Sequence, residues 1–211
     1  MKKPIILVGG GGHCISCIDI IEQGTKFEIK GILDLPEKVG QSILGYPIIG
    51  TDDDMDKFLP ECNNFHITVG QIEKSLLREK IYVRIKAAGG NLPVIVSPGA
   101  YVSKHAKVEE GTVVMHGAFV NAGATVGKNC ILNSNSLVEH EAEIGDFCHI
   151  STSAIANGQV KVGGGCFIGS NTVIGNNLSI TDNVIIAAGS QVLRSIKLPG
   201  VYIGNPLRKI R

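Results

Sequence analysis

From Val102 to Val192 every sixth residue is aliphatic, and this single pattern constrains the fold more than anything else in the chain. The series opens with Val102, Val108, Val114, Val120 and Val126 and closes with Ile168, Ile174, Ile180, Ile186 and Val192, without an insertion; only Ala156 is not Val, Ile or Leu. Two residues before these positions the side chain is mostly small, as at Ala106, Thr112, Ala118, Ser136 and Ala142. Glycine recurs just after the aliphatic, at Gly127, Gly145, Gly163, Gly169 and Gly175. A coil with three flat sides of six residues closes after eighteen, so each residue stacks on the one eighteen further on at the β-sheet spacing of about 4.8 Å. The aliphatic then points into a narrow prism, the small residue fits the corner, and Gly and Asn tolerate the turn dihedrals. The pattern predicts a parallel β-helix, with Cys130, Cys148 and Cys166 stacked in one column.

The first ninety or so residues lack this period. Lys3 to Val8 reads as a buried parallel strand. Gly9-Gly10-Gly11-Gly12-His13 follows and leads into a helix whose apolar face carries Cys14, Cys17, Ile18 and Ile21. Phe27 to Leu33 is a second strand ending at Asp34. Gly45-Tyr46-Pro47 reads as a turn, Asp52 to Phe58 as the opening of a helix, and His66 to Val69 as a third strand ending at Gly70. Ile72 to Ala88 reads as an amphipathic helix with Lys74, Arg78, Lys80, Arg84 and Lys86 on its wetter positions. This is an α/β, Rossmann-like nucleotide-binding unit with a short parallel sheet over residues 1–92, followed by the β-helix and a C-terminal tail over 93–211. A glycine turn between strand and helix lets backbone N–H groups approach a diphosphate, and Asp34 is placed to accept from a ribose or base. Gly9-x-Gly11-x-x-Cys14 departs from the dinucleotide fingerprint only at its last position.

Composition excludes several classes. A net charge of +1 gives no electrostatic footprint for nucleic acid or an anionic membrane, and the absence of Trp argues against base-stacking platforms. No segment approaches a membrane span, and the apolar run after Met1-Lys2-Lys3 is too short for a signal peptide. Three of the six cysteines occupy small-residue positions of the repeat, which suits a reducing cytoplasm better than a disulfide framework. Cys14-x-x-Cys17 is read as helix packing in preference to a redox pair.

Chemistry must come from residues that break the repeat. His140 stands between Glu139 and Glu141, and a flanking carboxylate can orient an imidazole that serves as a general base. Gly158 lies one coil on, where its N–H suits an oxyanion. His149 is half a coil from His140 and therefore on another side of the prism. The two can serve one site only where neighbouring prisms pack, which implies a homo-oligomer. Ser170 and Ala188, one coil apart, lie where a long ligand could run along the prism. His105 and His116 are not spaced as a shared metal site, and no metal is expected. A metal-dependent hydratase on the same β-helix lacks its close histidine pair here. A non-enzymatic nucleotide-sugar-binding scaffold is the remaining alternative.

The whole chain resembles the bacterial nucleotide-amino-sugar N-acetyltransferases of the left-handed β-helix superfamily, with sialic acid O-acetyltransferases sharing the layout. The residues that carry the resemblance are Gly9 to His13, Asp34, Gly70, the hexapeptide run, Glu139-His140-Glu141, Ile144-Gly145-Asp146-Phe147-Cys148-His149 and Gly204-Asn205-Pro206. It implies a left-handed coil and a cytoplasmic homotrimer with active sites between subunits. It further implies acetyl-CoA as co-substrate and a UDP-4-amino-4,6-dideoxy sugar as acceptor, in surface glycan biosynthesis. On this likeness His140 is the base, Glu141 raises its basicity and Gly158 donates to the oxyanion. His149, Ser170 and Ala188 contact acetyl-CoA, while Gly11, Gly12, His13, Asp34, Leu35 and Gly70 hold the nucleotide-sugar, with Asn133 near the sugar. Leu35 stands where relatives often carry a second acid.

Overall fold

The computed structural model describes residues 1–72 and 75–211 and divides into two compact units, 1–70 with 76–98 and 71–75 with 99–211. Lys74, expected on a helix face, lies outside the described residues.

The first unit is built on β1 (Lys3–Val8), α1 (Gly12–Gln23), β2 (Phe27–Leu33), β3 (Ser42–Ile43), β4 (Tyr46–Gly50), α2 (Met55–Phe58), β5 (Phe65–Ile67) and α3 (Leu76–Ala87). The sheet order is β3-β4-β2-β1-β5, parallel except where β3 pairs antiparallel with β4. Gly45-Tyr46-Pro47 is therefore not a turn throughout. Leu44 and Gly45 make the hairpin bend at φ of 48° and 85°, and Tyr46 and Pro47 already belong to β4. α2 is entered through a short 3-10 turn, Asp52–Asp54, with a capping box in which the Asp54 carboxylate accepts from the Thr51 N–H. Arg78 does not lie on a wet face of α3. It is buried and donates to the carbonyls of Ile67 at 3.1 Å and Val69 at 2.6 Å, satisfying main-chain acceptors where β5 ends.

The second unit is the parallel β-helix, left-handed as the resemblance implied. A six-stranded sheet runs from Tyr101–Val102 to Gln191–Val192 and a five-stranded one from Lys107–Val108 to Ser179–Ile180. A third sheet climbs through Val113–Val114, Ile131–Leu132, His149–Ile150, Phe167–Ile168 and Val184–Ile186. From Tyr101 to Val192 these strands pair in parallel at a spacing of eighteen, and the aliphatics of the repeat fill the interior. Each fully buried aliphatic contributes roughly 1.5–3 kcal/mol relative to exposure. Past Lys197 the chain does not simply trail away. Gly200–Ile203 joins the third sheet and Arg208–Lys209 folds back against it, with a cis peptide bond before Pro206.

The glycines after the aliphatics serve a different purpose from the one expected. Positive φ falls elsewhere, at every sixth residue from Gly111 to Gly189, between 51° and 75°. Gly127, Gly145, Gly163 and Gly169 are required by close approach: a Cβ on Gly169 would lie 2.5 Å from the Ala188 nitrogen of the next coil. The small corner residues form a second ladder. Thr112 Oγ1 donates to the Gly127 carbonyl at 2.7 Å, and Cys130 and Cys148 Sγ donate to the Gly145 and Gly163 carbonyls at 3.1 and 3.0 Å. The three cysteines stack as predicted, as buried free thiols.

The three outer faces differ in chemistry. Outward residues of the first sheet are Tyr101, Phe119, Leu137, Ile155 and Val173, an apolar column, followed by the polar Gln191 on its last strand. Those of the second are Lys107, Thr125, Glu143, Lys161 and Ser179, and Glu143 pairs with Lys161 at 2.9 Å. The third carries Ile131, His149, Phe167 and Ile185.

Candidate active site

His140 sits in the bend from the first sheet to the second, two residues after the inward Val138. Its side chain is half exposed, at 54%. Nδ1 lies 3.4 Å from Glu141 Oε2, and that oxygen also accepts from Gln159 Nε2 at 3.1 Å. Glu139 faces the main chain instead, accepting from the His140 N–H at 3.1 Å and from Asn121 Nδ2 at 2.7 Å. The two flanking acids thus divide the work: Glu141 meets the ring and Glu139 fixes the bend. Glu141 itself takes φ of 58°, an uncommon conformation for a non-glycine residue. One coil on, Gly158 packs against the imidazole, where a Cβ would come 2.6 Å from both Cε1 and Nε2. With Nδ1 directed to Glu141, Nε2 is the nitrogen left for proton transfer. The Gly158 carbonyl accepts from Asn177 at 3.1 Å, and its N–H takes no partner among the described residues.

His149 is buried in the third sheet, edge-on to Phe167 at a centroid distance of 5.2 Å. Its Nδ1 is 2.5 Å from the Gln71 carbonyl and its Nε2 is 3.0 Å from Asn133 Nδ2. Asn133 and His149 are therefore brought together, and both ring nitrogens are occupied. Ser170 Oγ is 3.0 Å from Ser151 Oγ, and the Ser170 carbonyl accepts from the Gly189 N–H at 2.8 Å beside the exposed Ala188. These residues follow the third sheet, at the prism edge where the chain turns into the first. His140 and Gly158 lie on the other edge of the first sheet. Within one chain the two groups flank the apolar face and do not meet.

In the first unit the glycine loop divides by cause. Gly9 has φ of 106° and a Cβ there would strike Val69 Cγ2 at 2.5 Å. Gly10 donates to Asp34 Oδ2 at 3.0 Å, and its Cβ would fall 2.5 Å from that oxygen. Gly11 caps α1 and Gly12 begins it, and Cβ atoms on either would meet nothing within 4 Å. Packing therefore explains the first two glycines and leaves the other two facing open space at a helix N-terminus with no acid in its first turn. His13 is half-buried, 3.5 Å from Cys17 Sγ, and its Cβ is 3.6 Å from where one on Gly70 would lie. The Asp34 carboxylate is already engaged, accepting from Gly10, from the Leu35 N–H at 2.8 Å and from Lys38 Nζ at 2.9 Å. Leu35 is 54% exposed. Burial pushes the Cys14 thiol up to about 11 and raises Cys17 further, so neither is a ready thiolate. Among the described residues no group of three or more His, Cys, Asp or Glu side chains could hold a metal ion.

Residues 4–85 match the PglD N-terminal domain. The acetyltransferase domain of PglB from Neisseria gonorrhoeae, solved with acetyl coenzyme A, aligns over all of both chains at 29% identity and a TM-score of 0.91. Residues 4–85 thus carry a PglD-type N-terminal domain, and the whole chain is similar to a solved acetyltransferase domain. PerB from Caulobacter crescentus, solved with CoA and GDP-perosamine, aligns over 100% of this chain and 99% of its own at 25% identity and a TM-score of 0.92. WeeI from Acinetobacter baumannii shares the fold at 21% identity, with 99% of this chain and 100% of its own aligned and a TM-score of 0.87. An uncharacterized protein of Acanthamoeba polyphaga mimivirus is 35% identical over 115 residues, which span 49% of this chain and 22% of that protein.

Around the candidate site, the supporting residues are the ones the sequence did not announce. Gln159 holds Glu141, and Asn121 holds Glu139, each across a separation of eighteen. The coil length alone could have found both. Gln71, which meets His149 from a segment outside the repeat, left no such signal.

Proposed function

We propose that the chain is an acetyl-CoA-dependent N-acetyltransferase acting on the amino group of a nucleotide-linked amino sugar, in surface glycan biosynthesis. The observation that carries this reading is the His140 ring held between Glu141 and Gly158 in a fold shared with acetyltransferases solved with CoA. His140 Nε2 takes a proton as the sugar amine attacks the thioester carbonyl. The C–N bond forms, the Gly158 N–H donates to the developing oxyanion, and the C–S bond breaks as the intermediate collapses. The proton on His140 then passes to the departing thiolate of CoA. A base contributes on the order of 10²–10⁴-fold and the remainder comes from holding two substrates together. Gly11, Gly12, His13 and Gly70 cradle the diphosphate, and His149, Ser170 and Ala188 line the path of acetyl-CoA, with His149 held rigid by Asn133 and the Gln71 carbonyl.

The protein works as a homotrimer in the cytoplasm. The apolar column of the first sheet supports the trimer, since Tyr101 is 52% exposed and Phe119 and Val173 are each 37% exposed. Packing of that face would bring the His140 edge of one prism beside the His149 and Ser170 edge of the next. The second reading, transfer to a sialic acid hydroxyl, uses the same base. Thiol release measured over a panel of UDP-, GDP- and CMP-linked sugars, with mass spectrometry separating amide from ester products, decides between them. No CoA release with any amino-sugar nucleotide would overturn the proposal.

A further inference from the structure

The first unit holds a cavity of about 400 Å³ at the C-terminal ends of its strands, large enough for a nucleobase with part of its ribose. Its apolar wall comes from Val8, Leu35, Pro36, Val69, Leu77 and Ile81. The side-chain acceptors on the wall are Asp34, Thr51, Asp52 and Asp53. Three of them are already used. Asp34 accepts from Gly10, Leu35 and Lys38. Thr51 Oγ1 bonds Asp54 and Asp53 N–H, and Asp53 pairs with Arg84 at 2.6 Å. Only the half-buried Asp52 carboxylate has no hydrogen-bond partner among the described residues.

Arg84, which also lines the cavity and pairs with Asp53, opposes the Asp52 charge without a hydrogen bond to it. A carboxylate is an acceptor only, with two oxygens side by side, and a half-buried one beside apolar walls is better satisfied by direct donors than left without them. The group that satisfies it must present two adjacent donors on a flat apolar body. Guanine does so through N1–H and the exocyclic N2 amine. Uracil and thymine present a single N–H flanked by carbonyls, one of which would oppose the second carboxylate oxygen. Cytosine presents a donor beside an acceptor. Building on the nucleotide-linked sugar proposed above, we infer that Asp52 is the specificity-determining residue of the base site and that the base it selects is guanine. The acceptor would then be a GDP-linked amino sugar in place of the UDP-linked one that the family resemblance implied. Burial raises the Asp52 carboxyl above its ordinary value, and two donors on one carboxylate offset that penalty.

Calorimetric titration of the full chain with GDP, UDP, dTDP and CDP tests the inference. GDP is expected to bind at least tenfold more tightly than UDP, the scale of one bidentate base contact. Asp52→Asn, which offers one donor and one acceptor, is expected to bring the two within about threefold by weakening GDP alone, with an unchanged melting temperature. Should that variant melt lower, Asp52→Ser is the substitute and the same loss is expected. UDP binding as tightly as GDP overturns the inference while leaving the proposed activity standing. So does an equal loss for all four nucleotides, which would place Asp52 on the ribose hydroxyls. If no nucleotide binds, both the inference and the proposed function fall.

Discussion

Gly158 and His140 are separated by one coil and touch: no Cβ fits at position 158 without coming 2.6 Å from the imidazole Nε2. Gly158→Ala must therefore push the ring off Glu141 or bend the coil. We expect a loss of turnover on the order of 10²–10³-fold, comparable with removal of an oxyanion donor, with little change in thermal stability. Steady-state kinetics beside a melting curve checks this. Turnover within threefold of the parent would remove Gly158 from the site.

His140→Ala is expected to lower kcat by about 10²–10⁴-fold while both substrates still bind by calorimetry. Full activity in that variant would end the base assignment.

Glu141 carries a conformational penalty at φ of 58°, where a non-glycine residue costs roughly 1–2 kcal/mol. Glu141→Gly relieves it and, after the extra chain entropy of glycine, should stabilise the fold by about 0.5–1 kcal/mol. The same change removes the partner of His140 Nδ1, so kcat should fall at least tenfold while KM for acetyl-CoA stays within twofold. A variant both more stable and equally active would show that the strain there serves no chemistry.

The glycine loop offers a paired test. Gly10→Ala collides with the Asp34 carboxylate and should lower the melting temperature of the first unit. Gly11→Ala meets nothing in the fold, so it should melt with the parent yet bind nucleoside diphosphates several-fold more weakly. Unchanged binding in Gly11→Ala would mean that no phosphate approaches this turn.

His66 predicts an acid limit. It is fully buried in β5, neither ring nitrogen has a hydrogen-bond partner among the described residues, and burial, with the nearby Arg78 and His13, lowers its pKa to about 3. The folded state disfavours the charged ring, whereas an unfolded chain takes up the proton below about 6.5. Stability from this group is whole above that pH and declines as pH falls toward 3, by about 4–5 kcal/mol in all. Between pH 6.5 and 4.5, where most carboxylates remain ionised, denaturation midpoints should fall in the parent. They should stay nearly flat in His66→Leu. Parallel slopes would refute the assignment.

The repeat was legible because one side chain in six points inward and interior space admits only aliphatics there. Corner glycines were harder to read, since close approach and left-handed φ both select glycine and only coordinates separate them. Gly127 and Gly145 answer to the first cause, Gly111 and Gly117 to the second. Arg78 looked like a surface cation because helix periodicity cannot show that the carbonyls of Ile67 and Val69 need a donor. Asp34 stood at the expected strand end, but its engagement with Gly10, Leu35 and Lys38 depends on a fold of the loop that no spacing encodes. His140 and Glu141 were visible because they interrupt a regular text, and Asp52 was not, because it interrupts none.

Stacking at eighteen also governs which length changes this chain tolerates. Deleting one full coil would leave every face in place and shorten the prism. Deleting six residues would keep an aliphatic in each inward position, so the core would survive and the protein would fold. Yet every face beyond the cut would turn by one side, bringing Lys161 into line with the apolar column and carrying Gly158 to another edge from His140. A change silent to the core would thus disassemble the proposed site, which means that the register of His140 and Gly158 has to be counted in coils even though the core is counted in hexapeptides.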